Sequence, residues 1–389
     1  MFPILTRNDE SFHLPAWPRT LKLKMKTRLP SLASRCLSFP LSISICSCSC
    51  SCSCRPRNMD TGKSTGNSID QQILYEKKQA TLRLCKVSRH TTELLELRAE
   101  DPSLHVLFIP GNPGIVTYYK DFVEALYELF GGSASVTAIG HISHTRKSWE
   151  HGCLFSLQDQ IDHKMDFLKQ EIHHTEVPLF LVGHSIGSYM SLEIFKRVPE
   201  RVKYFIGLYP FLTFDKTSSK QSAIRKITAS KTQSVILSSV VAFLGLLPRW
   251  ATKALARRFL GSPCSSTAVE ATCTHLLQYH CIRNVFFLAK SEFIKLSEVP
   301  DWMFIRGKQD QIAFLFGVGD HWGPLTMFEE ISKQAPDVAL SIEREGHTHS
   351  FCCSEAGSIW AAQHVASLIK HQCQAASGSS KVMVKDSNA

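Results

Sequence analysis

Hydrophobic residues follow two alternating patterns along most of this chain. LHVLFIP (Leu104–Pro110) is a short, almost wholly apolar run, as strands buried on both faces of a parallel sheet are. SVTAIG, PLFLVG, KYFIGLYP, IAFLFG and VALSIE repeat that type. Between them lie stretches of helical period: about residues 118–130, SIGSYMSLEIFKRV, PLTMFEEISKQ and residues 354–370. LQDQIDHKMDFLKQEI belongs with them and puts Leu157, Ile161, Met165 and Leu168 on one stripe. Upstream, LYEKKQATLRLCKV and TTELLELRAE predict two strands of a hairpin. Strands alternating with helices predict an α/β fold around a mainly parallel sheet. The rhythm breaks over residues 211–300, which read as a helical cap inserted between two core strands. The predicted domain spans residues 70–375, with a disordered tail at 376–389. No internal repeat is present.

Within this frame one serine stands out. Gly183-His184-Ser185-Ile186-Gly187 follows the strand LFLV and precedes the helix YMSLEIF. Strand, sharp turn and helix are the setting of a nucleophile elbow. The bend strains the serine backbone, and side chains at 183 or 187 would clash with neighbouring elements. The hydroxyl then stands at a helix N-terminus, where the dipole favours developing negative charge. Acyl transfer also needs donors for an oxyanion. The amide of Ile186 is one; the second should come from Pro110-Gly111-Asn112-Pro113-Gly114, the loop after LHVLFIP. Proline has no N–H, so Asn112 is the better donor by position, with Gly111 making room for substrate.

In the order serine, acid, histidine, the base must come late in the chain. GHTHSF offers His347 and His349. The acid has three candidates: Asp310 after WMFI, Asp320 after IAFLFG, and Asp215 after KYFIGLYP. IAFLFG is the most strand-like context, with Gly317 and Gly319 for the turn, which favours Asp320. The remaining histidines are expected to be ordinary polar residues. No metal or cofactor is expected.

Charge and cysteine usage change the picture only at the N-terminus. Residues 1–58 hold nine Lys/Arg against Asp9 and Glu10, so +7 of the net +10 resides there. The remainder, at +3, is not a general polyanion binder, and no nucleic-acid partner is expected. Six of the fourteen cysteines also precede Met59, five of them in ICSCSCSCSC. The other eight lack Cys-x-x-Cys or framework spacing, which suits free thiols in a reducing compartment. Residues 1–58 read as an organellar transit peptide, or as sequence upstream of a start at Met59; S-palmitoylation of the cysteine run is a third reading. All three set residues 1–58 outside the fold. Gly62-Lys63-Ser64 is no phosphate-binding loop, because Arg57 occupies the required glycine position.

The cap carries the most apolar stretch, SVILSSVVAFLGLLP. A helix from Val235 to Leu247 would be about 20 Å long, too short for a ~30 Å hydrocarbon core. Basic residues flank it on both sides, no acid occurs from Lys216 to Leu260, and Trp250 stands at one edge. That pattern suits a segment lying in a lipid interface, with Val235, Val241, Phe243, Leu244 and Leu247 as surface residues.

VLFIPGNPGIVTYYKDF, LQDQIDHKMDFL, FLVGHSIGSYMSLEIFKRVPE, DHWGP and HTHSF, taken in order, resemble the lipid droplet-associated hydrolase family of the α/β-hydrolase superfamily. The resemblance spans about Val106 to Lys370. It implies an α/β-hydrolase fold with helices on both faces of the sheet and an inserted cap. The family's nucleophile falls on Ser185. Its acid, just before a Trp-x-Pro, falls on Asp320. Its histidine, followed by a small residue and Phe, selects His349. The resemblance further implies a serine ester hydrolase on lipid droplets and endoplasmic reticulum, facing the cytosol, with neutral-lipid or sterol esters as substrates. Droplet association would fall on residues 235–247. Three other outcomes stay open: a weakly catalytic droplet-surface protein, an acyltransferase or thioesterase, and a plastid location if the leader is a transit peptide.

Overall fold

The computed structural model describes residues 78–172 and 176–386. The expected leader, residues 1–58 with its Ser-Cys run, lies outside the described residues, as does the beginning of the predicted hairpin. The chain opens with β1 (Thr81–Val87), β2 (His90–Leu97) and β3 (Leu104–Ile109), followed by α1 (Lys120–Leu129), β4 (Ala134–Ile139) and α2 (Leu157–Glu171). Next come β5 (Leu179–His184), α3 (Ile186–Arg197) and β6 (Val202–Leu208). The cap follows as α4 (Ser219–Ala229), α5 (Lys231–Gly245), α6 (Arg249–Leu260), α7 (Ser266–Ala271), a π turn (Thr272–Leu276) and α8 (Tyr279–Lys295). Then α9 (Trp302–Gly307) leads to β7 (Ile312–Gly317), α10 (Leu325–Gln334), β8 (Ala339–Glu343) and α11 (Glu355–Asp386).

The strands lie in the order β1-β2-β4-β3-β5-β6-β7-β8. β2 runs antiparallel to β1 and β4; every other pairing is parallel. Why the central strands are apolar at every position is visible in their packing. Val106 and Phe108 of β3, Phe180 and Val182 of β5, and Ala313 and Leu315 of β7 join one core, with α1 and α11. Their neighbours Leu107, Ile109, Leu181, Phe314 and Phe316 join the other, with α2, α3 and α10. Successive side chains point to opposite faces, and both faces are covered.

WMFIRG, the less strand-like of the two contexts preceding an acid candidate, forms α9, capped by the Asp301 side chain on Phe304 N–H. One expectation changes. The last helix continues past Lys370 to Asp386, through part of the stretch expected to be a disordered tail.

The cap seats on the sheet through polar groups as well as apolar ones. Asn112 Nδ2 donates to Val285 O and Glu292 Oε1 of α8, each at 3.0 Å. Asn284 Nδ2 donates to Cys153 O, and its Oδ1 accepts from Phe155 N–H. Glu93 of β2 meets His275 of the π turn at 3.0 Å, both buried. Burial pushes the Glu292 carboxyl up to about 8, against the opposing hydrogen bond from Asn112.

The outer face of the cap is apolar and exposed. Phe243 is 67 % exposed, Leu246 81 % and Trp250 76 %, and Ile236, Val240, Leu244 and Leu247 are exposed beside them. Val235 is half-buried. Val241 departs from its expected place on the lipid-facing surface: only 9 % exposed, it turns inward with Ser234 and Ser238 and joins the core. Helical period explains this, since 234, 238 and 241 share one side of α5. No single helix among the described residues is long and apolar enough to cross a membrane; α4 and α5 together would be, but they are bent by 95°.

Two outcomes follow from this architecture. Val241→Ala should destabilise the protein by about 1–3 kcal/mol, whereas Phe243→Ser should stay within about 0.5 kcal/mol, as read from urea denaturation. Glu292 keeps its proton in the native state where the unfolded chain, titrating near 4.3, has lost it. The contribution of Glu292 is therefore fullest below the unfolded value and is lost as pH rises towards about 8, by at most about 1.4 kcal/mol per pH unit. Buried neutral His144 and Lys164 act in the opposite sense, so the test is a difference: from about pH 5 to about pH 8 the stability of Glu292→Gln, read from urea midpoints, should rise relative to that of wild type.

Candidate active site

β3, β5, β6, β7 and β8 run parallel, so the loops at their carboxyl ends gather along one edge of the sheet, where open α/β sheets bind ligands. Ser185 is the single residue between β5 and α3, with φ at 54° and ψ at −123°. Such a conformation costs about 1–3 kcal/mol in a non-glycine residue. Ser156, Ser218, Ser230 and Ser265 each cap a helix with the side-chain oxygen, but the Ser185 hydroxyl makes no cap bond at the start of α3. It remains available, and the residue is 8 % exposed.

The glycines of the motif are set by close backbone approach. A Cβ at Gly183 would overlap the backbone of Gly187 and Ser188, and one at Gly187 would overlap Ile109 O and Pro110 O. The elbow is thus pressed against the end of β3. Gly111 completes the contact: its added Cβ would lie 3.0 Å from Ser185 Cβ and 3.2 Å from His184 Nδ1. The room it makes is for the elbow, rather than for substrate as expected.

Of the acid candidates, Asp320 lies in the turn after β7 and meets histidine. Its Oδ2 is 2.7 Å from His349 Nδ1, and the Asp320 side chain is 1 % exposed. Oδ1 accepts Trp322 N–H at 2.9 Å. Because the carboxylate only accepts, Nδ1 of the neutral imidazole carries the hydrogen and Nε2 keeps its lone pair. Asp310 is exposed in the turn entering β7, at the opposite end of that strand. Asp215 instead closes a local turn with Thr217. His347 packs on Trp360. No hydrogen bond joins Ser185 Oγ to His349, whose backbone carbonyl instead accepts from the side chain of the adjacent His184 at 2.9 Å.

The loop after β3 is held at several points. Gly111 N–H donates to Tyr119 Oη, Gly114 N–H to His144 Nδ1, and His141 N–H to Gly114 O. The amide of Asn112 has no partner among the described residues, and its side chain is fixed by α8. The amide of Ile186 opens α3, where no intrahelical acceptor exists for it.

Several residues that matter here carry no sequence motif. Tyr119, Tyr209 and Phe351 wall the histidine pair, with Tyr209 and Phe351 stacked at 5.8 Å. Nor are the remaining histidines all ordinary polar groups. His141, His144 and His163 are buried around Lys164, which donates to Gly140 O at 2.9 Å. Burial and the neighbouring lysine lower His144 to about 3. A Cβ on Gly114 would overlap the His141 ring. The only available signal was the density of histidines in GHISHT, which spacing rules do not interpret. Among the described residues, no group of three or more His, Cys, Asp or Glu is placed to hold a metal ion.

Known proteins resemble this chain at the level of both sequence and fold. Residues 102–352 match the family model described as lipid-droplet associated hydrolase. The lipid droplet-associated hydrolase of Gallus gallus is 29 % identical over 267 residues, covering 64 % of this chain and 80 % of its own. The Dictyostelium discoideum protein of the same name is 25 % identical, covering 67 % and 86 %. The human one is 28 % identical, covering 64 % and 80 %. Among solved structures, a haloalkane dehalogenase from Bradyrhizobium elkani superposes with a TM-score of 0.58 at 14 % identity, covering 76 % of this chain and 99 % of its own. An epoxide hydrolase from Vigna radiata gives 0.53 at 15 %, covering 75 % and 98 %. These likenesses fix the fold as that of the α/β-hydrolases. The match over residues 102–352 fixes the family: this chain belongs to the lipid droplet-associated hydrolases.

Proposed function

We propose that the protein is a serine ester hydrolase acting on neutral-lipid or sterol esters at a lipid-droplet surface. The observation that carries this reading is the 2.7 Å bond from His349 to Asp320, beside a strained serine whose hydroxyl caps nothing. His349 Nε2 takes the Ser185 proton as Oγ attacks the ester carbonyl. The amides of Ile186 and Asn112 hold the oxyanion. His349 then protonates the departing alcohol and leaves an acyl-serine. Water enters, gives its proton to Nε2, and releases the fatty acid as Ser185 regains its hydrogen. Asp320 fixes the imidazole tautomer and stabilises the imidazolium without becoming protonated.

The exposed apolar face of α5 and α6 supports action at a lipid surface. Phe243, Leu246, Leu247 and Trp250 stand out on a stretch that also carries the basic residues Arg249, Lys253, Arg257 and Arg258. Burying such side chains contributes about 1.5–3 kcal/mol each. The same face supports a second reading, in which binding droplets is the function and hydrolysis is incidental.

Two experiments decide. With a p-nitrophenyl acyl ester, Ser185→Ala should lose turnover and fluorophosphonate labelling, and Asp320→Asn should lower kcat about 10³–10⁴-fold. Labelling of Ser185→Ala at the wild-type rate would remove the nucleophile assignment. On triolein emulsions, Phe243→Glu combined with Leu246→Glu should weaken binding at least about tenfold, while turnover of the soluble ester stays unchanged. A cellular lipid phenotype that survives Ser185→Ala but not the double glutamate variant would favour the second reading.

A further inference from the structure

His184 occupies the variable place before the serine in the elbow motif, where nearly any side chain would serve the turn. Here it is buried between two parts of the site. Gly111 N–H lies 3.2 Å from Tyr119 Oη, Tyr119 Oη 2.7 Å from His184 Nδ1, and His184 Nε2 2.9 Å from the carbonyl oxygen of His349. The donors follow by elimination. A carbonyl only accepts, so Nε2 carries the hydrogen. Burial and the neighbouring His349 hold His184 well below the usual imidazole range, so the ring is neutral and Nδ1 is a lone pair. Tyr119 must therefore donate its hydroxyl hydrogen to Nδ1 and accept from Gly111 with its oxygen. Burial keeps that phenol protonated. Every hydrogen along the chain points from the loop after β3 towards the backbone of His349.

The loop after β3 and the loop after β8 are separated in the sheet by β5, β6 and β7. The rings along the path are packed: Phe351 lies 5.0 Å from His184 and 6.2 Å from Tyr119, centre to centre. With both nitrogens engaged, His184 cannot itself serve as the base.

We propose that Tyr119 and His184 are positioning residues that lock the amide donors after β3 to the backbone of His349, so that oxyanion site and base are held as one unit. This inference rests on the assignment of Ser185, His349 and Asp320 made above. Misplacement by about 1 Å in such a constellation costs about 10²-fold in rate. Tyr119→Phe removes one oxygen from a ring of unchanged shape. His184→Gln keeps a donor for the His349 carbonyl but loses the ring that receives the Tyr119 hydrogen. Both break the same central link.

The experiment measures kcat and KM for p-nitrophenyl butyrate with full-length wild type, Tyr119→Phe, His184→Gln, the double variant and Ser185→Ala, with thermal unfolding of each. Each single variant should lose about 10–10²-fold in kcat with KM within about threefold. The double variant should be no worse than the poorer single, because one broken link leaves the other nothing to hold. Single effects that multiply in the double variant would overturn the proposal. So would a kcat within twofold of wild type in Tyr119→Phe or His184→Gln, or losses confined to KM or to folded fraction. If Ser185→Ala is as active as wild type, the underlying assignment fails and the positioning role falls with it. If Ser185→Ala is inactive while both single variants are normal, only the positioning role fails.

Discussion

Backbone presses on backbone where the elbow meets the end of β3, and little else in the site could be where it is without that contact. Gly187 lies so near Ile109 O and Pro110 O that no side chain fits between them. Gly183 is closed by Gly187 in the same way. The contact sets the depth at which Ser185 stands and brings the loop of Gly111 and Asn112 alongside it. Helix α3 supplies the positive end of its dipole at the same point. A strained serine backbone persists because two strands, a helix and a loop determine it together.

The cap adds a second layer of constraint. Its inner helix α8 holds the side chain of Asn112 through Val285 O and Glu292, so the loop beside Ser185 is fixed from the sheet side and from above. Burying Glu292 there has an electrostatic cost, visible in its raised titration. The acid loop is tied to the cap as well. Gln221 at the start of α4 donates to His321 O, next to Asp320, at 2.6 Å.

Much of this was legible in the chain. Strands two-faced by composition, such as LFLV and IAFLFG, announced the parallel sheet because burial on both sides leaves no polar position. Gly-His-Ser-Ile-Gly announced the elbow because glycine is required wherever backbones touch. Strand context and resemblance favoured Asp320 over Asp310, whereas His349 was separable from His347 by resemblance alone; these two side chains are the ones that meet. Other features were not legible, each for a physical reason. WMFIRG is apolar enough for a strand, but the Asp301 cap and its exposed face make it helical. Val241 and Phe243 are both apolar, and only helical phase turns one inward and one outward. Tyr119, His184 and Phe351 come from separate segments, and a pattern along one chain does not report that they meet.

The insertion point of the cap carries one more implication. Everything exposed and greasy on α5 and α6 enters and leaves the chain between β6 and β7, away from the glycines that shape the elbow. That outer skin can drift in sequence, growing stickier or more polar, without disturbing a single loop that surrounds the serine. Helix α8 enjoys no such freedom, because its inner side is bolted to Asn112. The two sides of the cap thus differ in tolerance: residues on its outer skin can be exchanged singly, while its floor stays pinned.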